Sequence, residues 1–249
     1  MTVAPDEHLE VDERPWLGGR VRLRQPVRGY RAALDAALLA AFTPATCDQS
    51  VLEVGTGAGA VLTAIGQRCP GRTLTGIERD PIMADLARQN LALNGLEGQI
   101  LTTDIADGFR ALGLDRADWV IANPPYFDDP NAMRAPADSK RGAWMADAGL
   151  QGWIGFMLAA CQDRGGLALV HRADRLADIL GLLGEKAGSF VILPVHPFCD
   201  EPAKRVLVRA RRNGKAPLRL MPPLILHDRE GDRHTRQADA ILRGEIDLL

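Results

Sequence analysis

Between residues 20 and 24 arginine alternates with valine and leucine, so Val21 and Leu23 share one face and Arg20, Arg22 and Arg24 the other. That is the period of a strand, apolar on one side and basic on the other. At residues 31–42 (RAALDAALLAAF) the pattern becomes a near-continuous apolar run, which predicts a helix stopped before Pro44. From residue 50 strands and helices alternate. "SVLEV" is a short buried strand, and "GTGAGA" turns from it into a helix reaching about Arg68. "TLTGIE" is a second strand. Asp80 and Pro81 then supply an N-cap and a first-turn proline for a helix to about Asn94, with Gly95 as its stop. "QILTTD", "WVIAN" and "LALVH" are further strands, with a helix over roughly 150–163 before the last. Strands alternating with helices in short units imply an α/β fold, a parallel sheet covered on both faces. After Gly188, "FVILPV" and "KRVLVRA" have no helix between them, which predicts an antiparallel hairpin closing the sheet. Turns at Pro222-Pro223 and Glu230-Gly231 and a short helix near 236–243 complete the tail.

Composition narrows this picture only slightly. The 249 residues, 46% hydrophobic and 25% charged, fit one large globular domain with its own core. We divide it into a disordered lead-in (1–15), a basic hairpin and helix (16–48), a core (49–215) and a C-terminal extension (216–249). No apolar run reaches the roughly 18–20 residues that a membrane span needs, and residues 1–14 are acidic and polar, unlike a targeting peptide. Cys47, Cys69, Cys161 and Cys199 are scattered without a CxxC pair, which suggests reduced thiols in a cytosol and neither a disulfide frame nor a zinc site. Charge changes more. The net charge of −2 hides six arginines and no acid between Arg14 and Arg31, and seven basic residues and no acid between Lys204 and Arg219. Solvated surface would explain either stretch alone; together they make a polyanion partner plausible.

Chemistry gathers at the predicted strand ends. "EVGTGAG" (53–59) lies where a strand meets a helix, and glycines there let the backbone approach a ligand. Gly55, Gly57 and Ala60 also satisfy the dinucleotide pattern, so the turn by itself does not separate NAD from another adenosine-bearing cofactor. Glu53 leans away from NAD, because a carboxylate there repels a pyrophosphate and attracts a cationic amino-acid tail. Glu78 ends the next strand at the place for a carboxylate holding both ribose hydroxyls, though it could instead favour the following helix N-terminus. Asp104 ends the third strand, where it could accept from an adenine amino group with Ile105 against the ring; a plain turn aspartate is the competing view.

The fourth strand stops abruptly at Asn123-Pro124-Pro125-Tyr126, because two prolines cannot continue a ladder. The Asn123 side-chain carbonyl and the Pro124 backbone carbonyl would accept both hydrogens of one amino group, with the Tyr126 ring stacked on the flat molecule bearing it. Two fixed acceptors aim the lone pair of a conjugated amine, which is catalysis by positioning and electrostatics. A structural Pro-Pro turn is the alternative. His171, His196, His227 and His234 lack partners at ligand spacing and read as structural; Trp144 and Trp153 read as packing anchors.

In this order, "EVGTGAG", Glu78, Asp104 and "NPPY" resemble the class I S-adenosylmethionine-dependent methyltransferases that modify exocyclic or amide nitrogens. The resemblance implies a Rossmann-like, seven-stranded sheet, mostly parallel with the last strand antiparallel. It also implies a cofactor, S-adenosyl-L-methionine, with Glu53, Gly55, Gly57 and Gly59 at its methionine portion, Glu78 at the ribose and Asp104 at the adenine, and Thr56, Arg79, Ile105 and Asn123 also in the cofactor site. The flanks "LRQPVRGYRAALDAALLAAF" (23–42) and "PLRLMPPLILHDREGDRHTRQADAIL" (217–242) resemble the bacterial tRNA1(Val) (adenine-N6)-methyltransferase family, over about residues 16–243. That family methylates the adenine just 3′ of the anticodon, and its precedent makes the first of these flanks a lid over the cofactor with Asp35 near it; a single polar residue at a helical core position is the competing view of Asp35. Such an enzyme would take a splayed base on Pro125, Tyr126 and Phe127 and grip tRNA phosphates with Arg22, Arg24, Arg28, Lys204 and Arg205. Asn123, Pro124 and Tyr126 would be catalytic, with no metal and no membrane, in a cytoplasmic monomer. The loop 128–148 is longer than the family pattern and carries "SKRGAWMAD", so contacts by Arg134, Lys140 or Arg141 are unassigned. Methylation of a protein glutamine amide or of guanine N2 in rRNA stays open, as does an NAD-dependent oxidoreductase, which leaves "NPPY" unexplained. An RNA-binding module without catalysis is disfavoured by the intact motif set. The short arginine-rich segment ahead of the core favours RNA over protein.

Overall fold

A computed structural model describes residues 10–27, 34–125, 149–230 and 233–248. Among these residues, strands β1 (Val11–Trp16) and β2 (Val21–Pro26) form a separate antiparallel hairpin, followed by helix α1 (Leu34–Phe42). The core then runs β3 (Val51–Val54), α2 (Ala60–Arg68), β4 (Leu74–Glu78), α3 (Pro81–Leu93), β5 (Gln99–Thr102), β6 (Ala117–Ala122), α4 (Gly149–Ala160), β7 (Cys161–Arg172), α5 (Leu176–Gly184), β8 (Ala187–His196) and β9 (Arg205–Arg212). Two short strands, β10 (Arg219–Leu220) and β11 (Leu224–Ile225), and helix α6 (Arg236–Leu242) follow.

The sheet order is β10-β8-β9-β7-β6-β3-β4-β5, with β11 also on β8. Only β9 runs against its neighbours, wedged between β7 and β8. Strands β3 to β9 are thus the expected seven, the last antiparallel, and β10 and β11 are two-residue additions along the outer edge of β8. Side chains alternate across β3 between two cores. Val51 packs with α1, α2 and α3, whereas Leu52 and Val54 pack with α4 and α5. Burial on both faces explains why the central strands read as continuous apolar runs.

The Asp80 N-cap is as expected: its carboxylate accepts from Ile82 N at 2.9 Å, Pro81 opens α3, and Gly95 beyond the helix takes φ +66°. Helix α3 also anchors the hairpin through two amides. Asn90 Oδ1 accepts from Arg24 N (2.7 Å) and its Nδ2 donates to Arg24 O (2.9 Å), while Asn94 does the same for Arg22 N (2.9 Å) and O (2.7 Å). Four helical residues rise about 6 Å and two strand residues about 6.6 Å, so amides at i and i+4 stand in for a neighbouring strand.

Four expectations need correction. Residues 11–15, assigned to the lead-in, lie in β1, whose Asp12 and Glu13 pair with Arg14, Arg22 and Arg24. Helix α5 was not anticipated; it buries Ile179 and Leu183, one turn apart. Helix α4 ends at Ala160 rather than near 163, and β7 begins at once. Finally, Cys47 and Cys69 form a disulfide, with Cα atoms 5.1 Å apart, so these two are not free thiols. Arg68 donates to Thr43 O at 2.9 Å and Arg72 to Ala45 O at 2.8 Å, which draws the α1–β3 and α2–β4 connections together at that point.

Candidate active site

Ladder register brings the singled-out strand ends to one edge. Val54 pairs with Ile77 of β4 and Ala122 of β6, and Glu78 pairs with Thr102 of β5. Glu53, the glycine turn, Glu78, Asp104 and Asn123 therefore emerge side by side at the carboxyl edge, where ligands bind in open α/β sheets.

Glu53 is 1% exposed, and Thr56 Oγ1 donates to its Oε2 at 2.6 Å. Burial, opposed by the Thr56 hydrogen bond and reinforced by the neighbouring Glu78, pushes its carboxyl up to about 8. None of the described cations pairs with it. A buried carboxyl held protonated in this way is poised for a cationic partner. The turn beside it requires glycine: φ is +66° at Gly55, +54° at Gly57 and +77° at Gly59. Gly57 N donates to Glu78 Oε2 at 2.8 Å and Asp80 N to Glu78 Oε1 at 2.9 Å, so Glu78 joins the turn to the start of α3. Both its oxygens already accept backbone N–H groups and keep lone pairs for further donors.

Asp104 accepts from Ala106 N at 2.9 Å, starting a short 3₁₀ turn over Ile105–Asp107, and lies 3.9 Å from Arg79. Ile105 is half-buried against the α4 side of the core. Asn123 and Pro125 are half-buried and Pro124 is buried. Tyr126, Phe127 and Arg28 lie outside the described residues, as do Arg134, Lys140, Arg141 and Trp144.

The basic residues are placed less openly than their clustering implies. Arg22 and Arg24 both pair with Glu13, and Arg24 Nη1 also donates to Gln89 Oε1 at 3.2 Å. Arg205 pairs with Asp35, which joins helix α1 to the start of β9 at the same edge. Lys204 beside it is exposed. Arg209 is 7% exposed, lies over the Phe42 ring and donates to Phe42 O; Arg211 covers the Trp119 ring; Arg212 donates to Leu158 O and Cys161 O at the end of α4.

Two residues touch the site in ways that sequence reasoning did not give: Asn90, which it did not single out, and Trp153, which it read as a packing anchor and which is buried. Asn90 is fully buried, and its Nδ2 also donates to Ala58 O at 2.8 Å, which ties the glycine turn to the hairpin. Only its place on the buried face of α3 could have signalled this. The second is Trp153: a Cβ at Gly55 would lie 2.2 Å from its Cη2, so the indole occupies that space. Among the histidines, His171 is buried and pushed down to about 4 by burial and the neighbouring Arg175, His196 Nδ1 lies 2.6 Å from Glu201 O, and His227 and His234 stack at 4.9 Å. Among the described residues no cluster of three or more His, Cys, Asp or Glu could hold a metal, and no helix is long and apolar enough to cross a membrane.

Comparison with known proteins adds the family context. Residues 32–137 match the family model of the methyltransferase small domain. A tRNA1(Val) (adenine(37)-N6)-methyltransferase from Porphyromonas gingivalis is 32% identical over 158 residues, covering 60% of this chain and 61% of that protein. The match thus spans about three fifths of that relative's length. A crystal structure from Agrobacterium tumefaciens, described as a predicted O-methyltransferase, is similar over 86% of this chain and 98% of its own, at 28% identity and a TM-score of 0.71. The Thermus thermophilus 16S rRNA N2 G1207 methyltransferase, solved with AdoMet and guanosine, shares the fold at 16% identity and a TM-score of 0.57, over 84% of this chain and 52% of that one. The fold is that of the Rossmann-like class I methyltransferases.

Proposed function

We propose that this chain, which carries a methyltransferase small domain over residues 32–137, transfers a methyl group from S-adenosylmethionine to the N6 amino group of an adenine in tRNA. One observation carries the reading: a buried, uncompensated Glu53 stands on β3 directly beside the β6 end that leads into Asn123-Pro124. A site for a cationic amino-acid tail and a site for a flat amine adjoin. The residues fit the cofactor, since Glu53 suits an ammonium, the positive-φ glycine turn admits close approach, and Glu78 keeps acceptor capacity for ribose hydroxyls.

When bound, S-adenosylmethionine supplies an electrophilic sulfonium methyl. The chain's own residues do the rest. Glu53 with Gly55, Thr56, Gly57 and Gly59 takes the methionine end, Glu78 and Arg79 the ribose, Asp104 and Ile105 the adenine, and Asp35 closes from α1. The Asn123 side-chain carbonyl and the Pro124 carbonyl accept the two amino hydrogens and aim the nitrogen lone pair at the methyl. Tyr126 stacks on the base, with Pro125 and Phe127 completing its pocket. Lys204 and Arg28 would grip the RNA phosphates, joined by Arg22, Arg24 and Arg205 where phosphate replaces their Glu13 and Asp35 partners. Similarity to the tRNA1(Val) methyltransferase supports the adenine 3′ of the anticodon, an unpaired base that is cheaply unstacked. The enzyme acts as a monomer in the cytoplasm, where its tRNA is.

Incubation of total tRNA and rRNA with labelled S-adenosylmethionine, followed by nucleoside mass spectrometry, tests this. Label is expected in N6-methyladenosine of tRNA. Label in guanine N2 of rRNA, or in a protein glutamine, would replace the substrate and keep the class.

A further inference from the structure

Trp153 lies one turn into α4, the helix that leads away from the carboxyl edge after the Asn123 strand end. Its six-membered ring lies against Gly55: an added Cβ would sit 2.2 Å from Cη2 and 2.8 Å from Cζ3. The residue is 8% exposed, and its Nε1 is buried with no hydrogen-bond partner among the described residues. Trp119, the other buried indole among the described residues, behaves as expected, for its Nε1 donates to Gln49 Oε1 at 3.0 Å. Packing explains the ring of Trp153 but not its nitrogen, because phenylalanine would fill most of the same space without burying an unpaired donor.

Position relative to Glu53 says what the donor is for. Glu53 has the parity of Val51, which packs toward α1 and α2; Trp153 packs with Leu52 and Val54 on the other side of β3. An amino-acid tail carries an ammonium and a carboxylate on one carbon. The Glu53 side attracts the first and repels the second. A carboxylate therefore belongs on the side away from Glu53, where the ring of Trp153, whose Nε1–H has no acceptor among the described residues, lies against the same glycine turn.

We infer that Trp153 is a positioning residue of the cofactor site: its ring fixes the Gly55 turn, and its Nε1–H gains an anionic oxygen, the methionine carboxylate of the methyl donor, on binding. The inference rests on the methyl-donor reading above. S-adenosylhomocysteine, which retains that carboxylate, is the probe. The indole N–H resonance of Trp153, assigned in ¹H–¹⁵N spectra by its loss in Trp153→Phe, is expected to move downfield as the ligand saturates. Trp153→Phe is expected to bind S-adenosylhomocysteine about tenfold more weakly by calorimetry, with an apo melting temperature no lower than wild type. A purely structural tryptophan gives the reverse, a lowered melting temperature with unchanged affinity, and that result overturns the inference. So does an unmoved indole resonance in a saturated wild-type sample, a readout that does not depend on how the variant folds. If wild type does not bind S-adenosylhomocysteine at all, the methyl-donor reading falls and this inference with it; binding with an unmoved resonance removes this inference alone.

Discussion

The two regions most conspicuous in the sequence, the carboxyl edge of the sheet and the arginine-rich flanks, use their charges in opposite ways. At the edge, Glu53 is buried with one hydroxyl donor and no described counter-ion, a costly arrangement in a free protein. In the flanks, arginines that look available are largely engaged within the fold: Arg22 and Arg24 with Glu13, Arg205 with Asp35, Arg209 and Arg212 with backbone carbonyls. Cationic sequence runs therefore say little about a binding surface, because an arginine's long stem and five donors find local carbonyls and rings. An uncompensated buried acid is the stronger pointer to a ligand.

The largest effect expected is at the edge. Asn123→Ala is expected to lower methylation of tRNA by about 10²–10³-fold, the scale for losing one positioned acceptor or donor at a reacting group. Binding of S-adenosylhomocysteine, measured by calorimetry, stays within a few-fold of wild type. Near-normal methylation by the variant would remove the proposed role of the strand end.

Next comes the joint between the two regions. Asn90 makes three hydrogen bonds from a fully buried position, two to the hairpin and one to the glycine turn. Asn90→Ala leaves the Arg24 and Ala58 groups unpaired and is expected to cost about 2–4 kcal/mol of stability by denaturant unfolding. Weakened cofactor affinity is expected with it, because the glycine turn loses its tie. A stability loss with unchanged affinity would show that hairpin and edge are independent.

The charge state of Glu53 gives the third effect. Its carboxyl in the folded protein, at about 8, lies above the ordinary value of 4.5, so the folded chain holds more protons than the unfolded chain between the two. The stability this contributes is fully present below the ordinary value and is lost as pH rises through about 8. Relative to Glu53→Gln, the apo protein is expected to lose melting temperature across that window. At pH 7, an arriving ammonium converts the carboxyl to carboxylate, so binding of S-adenosylhomocysteine is expected to release up to about one proton. Calorimetry in buffers of different ionisation enthalpy reads this directly, and Glu53→Gln, bound about tenfold more weakly, releases none. Wild-type binding without proton release would mean that Glu53 is already ionised.

Much of the architecture was legible because it follows from local chemistry. The Asp80-Pro81 start and Gly95 stop of α3 are capping and φ preferences, and the β8–β9 hairpin follows from two apolar runs with no helix between them. What escaped depends on partners distant in sequence. Strand β1 contains Asp12, Glu13 and Pro15, so its composition reads as polar tail; its stability comes from pairing with Arg22, Arg24 and, through them, Asn90 and Asn94. The Cys47–Cys69 bond, 22 residues apart, leaves no spacing signal. At the edge, the strand-end placement of Glu53, Glu78, Asp104 and Asn123 was readable from where each apolar run stops. The Trp153–Gly55 contact was not, since an apolar helix face does not announce which strand-end turn it will meet.

The smallest effect separates members of the basic flanks from one another. Lys204 is exposed, whereas Arg24 is part-buried and shared between Glu13 and Gln89. A lysine that meets a phosphate contributes about one to the slope of log affinity against log salt. Lys204→Gln is therefore expected to lower the salt slope of tRNA binding by about one. Arg24→Gln is expected to lower it by clearly less, because recruiting Arg24 to a phosphate breaks an existing pair and leaves Glu13 facing the RNA. Filter binding of total tRNA over a salt series distinguishes them. Equal losses would mean that the Glu13 pairing dissolves on RNA binding, and that the flank, like the edge, is arranged for a partner rather than for the fold.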